Sequence, residues 1–194
     1  MSDCPFCNIA THYPPSSPPS SNAELVSPSA FVVLSTPLCM AFLDIMPLAP
    51  GHLLVTTRKH HQKLSDVSEE EAAELGVWVR RISRVLMKIT GVEDWNVVQN
   101  NGSFSPYTTA HKKDQELFGG RVDANGRGII GAAAAQVVPH VHFHIIPRPA
   151  LTPELRNRSF TMFGRGQRSE LDDDEAAEMA GKLRVSLGKE EWKL

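Results

Sequence analysis

"HVHFHII", residues 140–146, puts three histidines at alternate positions of a run whose other members are large and apolar. A period of two is the pattern of a β-strand, so His140, His142 and His144 are expected on one face, with Val141, Phe143 and Ile145 turned toward a core. Neighbouring imidazoles on such a face stand roughly 6–7 Å apart. Pro147 and Pro149 close the run by removing amide donors that a ladder needs. A row of imidazoles suits two tasks, binding a metal and handling phosphate. Repulsion among protonated rings depresses at least one pKa, and a neutral imidazole at pH 7 is a competent nucleophile.

Outward from this run, "FVVL" (31–34), "CMAFLD" (39–44), "HLLVTT" (52–57) and "WNVVQ" (95–99) read as further strands, punctuated by proline and glycine in "LSTPL" and "MPLAPG". Ser68 with Glu71 forms a capping box. Leu75, Val79, Ile82, Leu86 and Ile89 then recur at helical spacing, with Arg80, Arg81, Arg84 and Lys88 mostly on the opposite side, and Gly91 is placed to end the helix. The tail "ELDDDEAAEMAGKLRVSL" opens on acids and carries Ala176, Met179, Ala180, Leu183 and Leu187 on one stripe, a second helix. Together these predict an α+β domain with an antiparallel sheet of about five strands, a long helix and a C-terminal helix.

The chain of 194 residues is read as one domain over 1–194. A Pro/Ser-rich loop is expected at 11–22, an insertion at 103–135 and a helical extension at 150–194. Within the insertion, His111, Lys112, Lys113, Arg121 and Arg127 offer cations to a polyphosphate, although a passive surface insertion is the plainer reading. A formal net charge of −2 gives no footprint for wrapping nucleic acid or an anionic membrane, so neither is expected as a partner. Three cysteines, an odd number, argue against a disulfide framework and for a reducing compartment, the cytoplasm or nucleus.

The pattern His-φ-His-φ-His-φ-φ, together with "AFLDIMPLAPGHLLV…KHH", "VVQNNG" and "QVVPHVHFHIIPRP" in that order, resembles the histidine-triad (HIT) nucleotide hydrolases and transferases. The resemblance covers roughly residues 4–10, 31–102 and 136–149, and the tail helix is similar to that of the fragile-histidine-triad branch. It implies that His142 attacks an α-phosphorus and forms a nucleotidyl-histidine intermediate. His144 and His52 would serve beside the phosphate, Asp44 would bind ribose, and Asn100 and Gln136 would be phosphate-side amides. Histidine rather than glutamine at position 144 points to the hydrolase side of the family. The implied activity is release of a nucleoside monophosphate, AMP foremost, from a dinucleoside polyphosphate or a nucleoside phosphoramidate. A nucleotide-binding adaptor and a DNA 5'-adenylate hydrolase are the alternatives.

"CPFC" places Cys4 and Cys7 in a C-x-x-C spacing, open to zinc ligation or to thiol redox chemistry. The resemblance implies that His60 and His140 complete a structural zinc site, with His61 as an adjacent alternative. Cys39 reads as a buried apolar residue. The resemblance also implies a purine nucleotide substrate and a homodimer.

Overall fold

The computed structural model describes residues 4–102, 136–149 and 170–189, with the backbone of 121–122 and 128–129. Its elements in chain order are α1 (Pro5–His12), β1 (Val32–Ser35), β2 (Cys39–Leu43), β3 (Leu53–Thr57), α2 (Glu69–Thr90), β4 (Trp95–Gln99), β5 (Arg121–Val122), β6 (Gly128–Ile129), β7 (His142–Pro147) and α3 (Asp173–Lys189). Five strands form one antiparallel sheet in the order β1-β2-β3-β7-β4, and β5 and β6 pair separately. The expected α+β architecture is therefore the one observed.

Each strand lies within a residue of its expected bounds except the histidine run. The β7 ladder starts at His142, and His140 sits in a bend before it, where its amide donates to the Val138 carbonyl at 2.8 Å. The three imidazoles consequently do not share one strand. The alternation was real, but it said nothing of where pairing begins. The expected loop at 11–22 also begins inside α1, which runs through His12. The segment beyond is tied down rather than free: the buried Tyr13 hydroxyl donates to the Asn22 carbonyl at 2.7 Å, and Ser16 bridges to Ser35. Most of the 103–135 insertion, its histidine and lysines included, lies outside the described residues, as does much of the 150–194 extension.

Both faces of the sheet are covered, so the strands read as nearly continuous apolar runs. On β2, Cys39, Ala41 and Leu43 face a core built with Leu75, Ile82, Val85 and Leu86 of α2 and Ala176, Ala180, Leu183 and Leu187 of α3. Met40 and Phe42 face a second, smaller core with Phe6, Ile9, Tyr13, Val26 and Leu54. The α2 helix starts where the capping box predicts and ends at Gly91, whose φ of 67° is the left-handed region that glycine occupies cheaply. Cys39 is wholly buried, and burial pushes its thiol up to about 12. It is inert, as read from the sequence.

The registers position the site. His144 pairs with Leu54 and His142 with Thr56. Directly paired residues point to the same side of a sheet, and Leu54 belongs to the smaller core. The two triad histidines of β7 therefore open toward α1, away from the α2 and α3 layer.

Candidate active site

Between α1, the 26–30 segment and the carboxyl end of β2 lies a cavity of about 430 Å³, within the usual range for a small-molecule site. Its walls are largely apolar, with Ile9, Val26 and Phe42 among them, and Asp44, Asn100, His142 and His144 are among its polar lining residues.

His142 is almost fully buried, and its Nδ1 lies 2.6 Å from the His140 carbonyl oxygen. A carbonyl only accepts, so Nδ1 carries the hydrogen and Nε2 holds the lone pair. Burial lowers the pKa of His142 below the ordinary histidine value, partly opposed by that hydrogen bond and by the charge of Asp44. The ring is thus neutral at pH 7. Desolvation is the leading cause, rather than the repulsion among imidazoles that the row suggested.

A chain of hydrogen bonds assigns the next tautomers. The Leu48 amide donates to His52 Nδ1 at 3.2 Å, which leaves the His52 hydrogen on Nε2. That Nε2–H donates to His144 Nδ1 at 3.0 Å. His144 then carries its own hydrogen on Nε2, as a donor. Asp44 Oδ2 stands 3.5 Å from His52 Nδ1 and 3.8 Å from His144 Nδ1, close enough to act by charge but beyond a good hydrogen bond. Its Oδ1 accepts the Met46 amide at 2.8 Å. Asp44 is both the turn residue that its position after β2 suggests and a carboxylate at the cavity wall.

Asn100 lines the cavity, whereas Gln136 does not. Gln136 is buried, with its Oε1 accepting from the Gly102 amide and its Nε2 donating to the Gln62 carbonyl, both at 2.9 Å. Its amide clasps backbone on two sides.

The four groups named for zinc converge, with all ligand atoms within 4.8 Å of one another. Cys4 Sγ lies 3.4 Å and Cys7 Sγ 3.7 Å from His140 Nδ1, and Cys7 Sγ lies 3.3 Å from His60 Nδ1. Tetrahedral zinc, with bonds of about 2.3 Å to sulfur and about 2.0 Å to nitrogen, sets those atoms about 3.5 Å apart. His140 Nε2 donates to the Thr57 carbonyl at 2.9 Å, the outer hydrogen bond that leaves Nδ1 free to ligate. Burial holds the His140 pKa down at about 4 and raises the Cys4 thiol, the penalty that a cation would reverse. His61 is otherwise engaged, its Nε2 meeting both Glu71 carboxylate oxygens at 3.0–3.1 Å. The donor set fits zinc.

The sequence reading missed α1 as a cavity wall and the Leu48 amide as the group that orients His52. The spacing of Phe6 and Ile9 carries a helical signal for the first. No side-chain signal marks a backbone amide.

The family model for the HIT domain matches residues 26–111, a span that stops short of β7. An uncharacterised HIT-like protein of Methanocaldococcus jannaschii is 32% identical over 145 residues, covering 75% of this chain and 78% of that protein. The chain belongs to the histidine-triad family. Within that family, an adenosine 5'-monophosphoramidase of Schizosaccharomyces pombe is 33% identical over 114 residues, 59% of this chain. The match spans 61% of the length of that enzyme. Among solved structures, a zinc-bound histidine triad family protein from Mycobacterium smegmatis superposes with a TM-score of 0.58 at 22% identity, covering 96% of this chain and 94% of that one. This likeness carries the HIT fold.

Proposed function

We propose that this histidine-triad protein is a hydrolase that releases a nucleoside monophosphate, AMP foremost, from an α-phosphate conjugate through a nucleotidyl intermediate on His142. The observation that carries the reading is the tautomer of His142. Its hydrogen is held on Nδ1 by the His140 carbonyl, so the lone pair lies on Nε2 of a ring that lines a nucleotide-sized cavity. The apolar walls suit a purine base, and Asp44 and Asn100 suit ribose hydroxyls and phosphate oxygens.

In the first step Nε2 forms a bond to the α-phosphorus as the bond to the leaving group breaks. Positive charge then builds on the imidazole, and the His140 carbonyl stabilises it through the Nδ1 hydrogen. His144 Nε2–H can donate to a phosphate oxygen or to the departing group. The departing group takes up a proton as it leaves; water then attacks phosphorus, breaking its bond to Nε2 and giving up a proton, so that the monophosphate is released and neutral His142 is restored. Two easier displacements replace one hard one.

A nucleoside phosphoramidate is the preferred substrate class, supported by the fission-yeast phosphoramidase relative. Dinucleoside polyphosphates would share every step but the leaving group. Zinc held by Cys4, Cys7, His60 and His140 would fasten α1 to the sheet. Four protein ligands would leave no coordination position for substrate, which makes its role structural. A homodimer belongs to the same proposal, since β4 is an outer strand with Trp95 and Val97 39% and 44% exposed.

The test is rapid quench with adenosine 5'-phosphoramidate, followed by denaturing mass spectrometry and peptide mapping. A nucleotidyl adduct is expected on His142, and His142→Asn should lose about 10³-fold or more in turnover while still binding AMP. An adduct on a different histidine overturns the assignment.

A further inference from the structure

Phe6 stands between the two cysteines, yet its ring belongs to the catalytic face. It meets the His142 ring at a centroid distance of 5.2 Å with the planes at 90°, the edge-to-face arrangement that aromatic quadrupoles favour. The same ring packs on His140 at 5.7 Å and edge-on to Phe42 at 5.2 Å, and it is buried. We propose that Phe6 is a positioning residue for His142, fixing the plane of the imidazole and hence the line along which Nε2 meets phosphorus. The proposal rests on His142 being the nucleophile.

One hydrogen bond does not fix a ring. The bond from Nδ1 to the His140 carbonyl tethers a single atom and leaves the imidazole free to pivot about that contact. His144 bounds the ring on one side, at a centroid distance of 4.8 Å. Phe6 supplies a further contact, from the side of α1. In-line displacement is sensitive to such freedom, since a misplacement of about 1 Å can cost about 10²-fold in rate.

Phe6 is itself firmly placed. Cys4, at the N-cap position of α1, is buried with its Sγ 3.4 Å from His140 Nδ1, and Pro5 occupies the first turn, where a missing amide hydrogen does no harm. At the other end, Arg58 donates to the Ala10 carbonyl at 2.7 Å and the Tyr13 carbonyl at 3.1 Å. Between these anchors the ring has little choice of position. Such over-determination is what holding a reacting group requires.

Phe6 also lines the cavity, so a plain wall role must be separated from positioning. A wall alters affinity, whereas a positioning ring alters the rate of attack on substrate already bound. The experiment compares wild type with Phe6→Leu, measuring single-turnover adduct formation at saturating adenosine 5'-phosphoramidate and the Kd for AMP by calorimetry. Metal content and melting temperature are read alongside. Adduct formation is expected to slow about tenfold or more, with Kd shifted less than about threefold and metal content unchanged. Should Phe6→Leu lose metal or melt below the assay temperature, Phe6→Met, whose flexible side chain fills irregular gaps, carries the same comparison. Adduct formation at the wild-type rate, or an effect confined to Kd, overturns the positioning role. A wild-type protein that forms no adduct on His142 instead overturns the nucleophile assignment on which the role rests.

Discussion

Replacing His52 separates the proton-orienting chain from the nucleophile. His52 is almost fully buried, accepts from the Leu48 amide at 3.2 Å and donates to His144 Nδ1 at 3.0 Å. His52→Ala leaves a cavity the size of an imidazole and strips the Leu48 amide of its acceptor. The cavity costs about 2–4 kcal/mol, and the half-buried amide about 1 kcal/mol more. For a chain of this size that lowers the melting temperature by on the order of 10 °C. The chemical effect is distinct. Without the His52 hydrogen on its Nδ1, His144 can adopt either tautomer, and the donor at its Nε2 is no longer assured. Losing a positioned donor outright costs about 10²–10³-fold in kcat. Here the ring remains and only its tautomer is freed, so a loss of about 10–100-fold is expected. His52→Gln, whose amide can still donate to His144, should recover most of that loss. The assay is steady-state hydrolysis of adenosine 5'-phosphoramidate, with thermal melting on the same samples. A folded His52→Ala protein with kcat within about threefold of wild type would refute the reasoning, as would a Gln variant no better than Ala.

Purified, reduced protein should carry about one zinc per chain, and Cys7→Ser should remove most of it and lower the melting temperature, as read by elemental analysis and calorimetry. Glu71 is buried, which alone raises its pKa, but the Ser68 hydroxyl and amide and His61 outweigh burial and hold the carboxyl below its usual range. A depressed folded pKa stabilises above the unfolded value near 4.3 and is lost as pH falls through the folded value. Glu71→Gln should therefore cost about 1–2 kcal/mol in urea unfolding at pH 7, a cost that shrinks as pH falls through the folded value; a difference that stays constant on acidification refutes this. Trp95→Lys combined with Val97→Lys should shift sedimentation from dimer to monomer, and an unchanged sedimentation coefficient would exclude β4 from the interface. Replacing residues 103–135 by a short glycine-serine linker should spare phosphoramidate hydrolysis and cut diadenosine polyphosphate hydrolysis about tenfold, roughly one charge-assisted contact; equal effects on both substrates leave that segment without a role in substrate choice.

Much of this was legible in the chain because it is local. Hydrophobic period, capping box, terminal glycine and proline punctuation act over a few residues, so β4 and α2 could be placed almost to the residue. The triad announced itself for the same reason, since alternation brings His142 and His144 to one side of any strand that holds them. Cys4 and Cys7 share a helical turn for an equally local reason.

What tertiary structure decided concerns groups distant in sequence or lying on the backbone. His60 and His140 could be joined to the cysteines only through family likeness, because no spacing rule links residues separated by 136 positions, as Cys4 and His140 are. Gln136 looked like a phosphate ligand by its place in the motif, but its amide is spent on the backbone of Gly102 and Gln62. His140 left the strand because the chain bends at Val138–His140 before pairing with β3 begins. The tautomers of His142 and His52 depend on the His140 carbonyl and the Leu48 amide, which every residue possesses and which no pattern of side chains can distinguish. The sequence by itself determined which chemical groups this protein carries and on which face of a strand or helix they lie. Only the bend at His140, the turn at Leu48 and the meeting of His52 with His144 decided which nitrogen of each imidazole holds the proton, because that depends on which acceptor or donor the fold brings within about 3 Å.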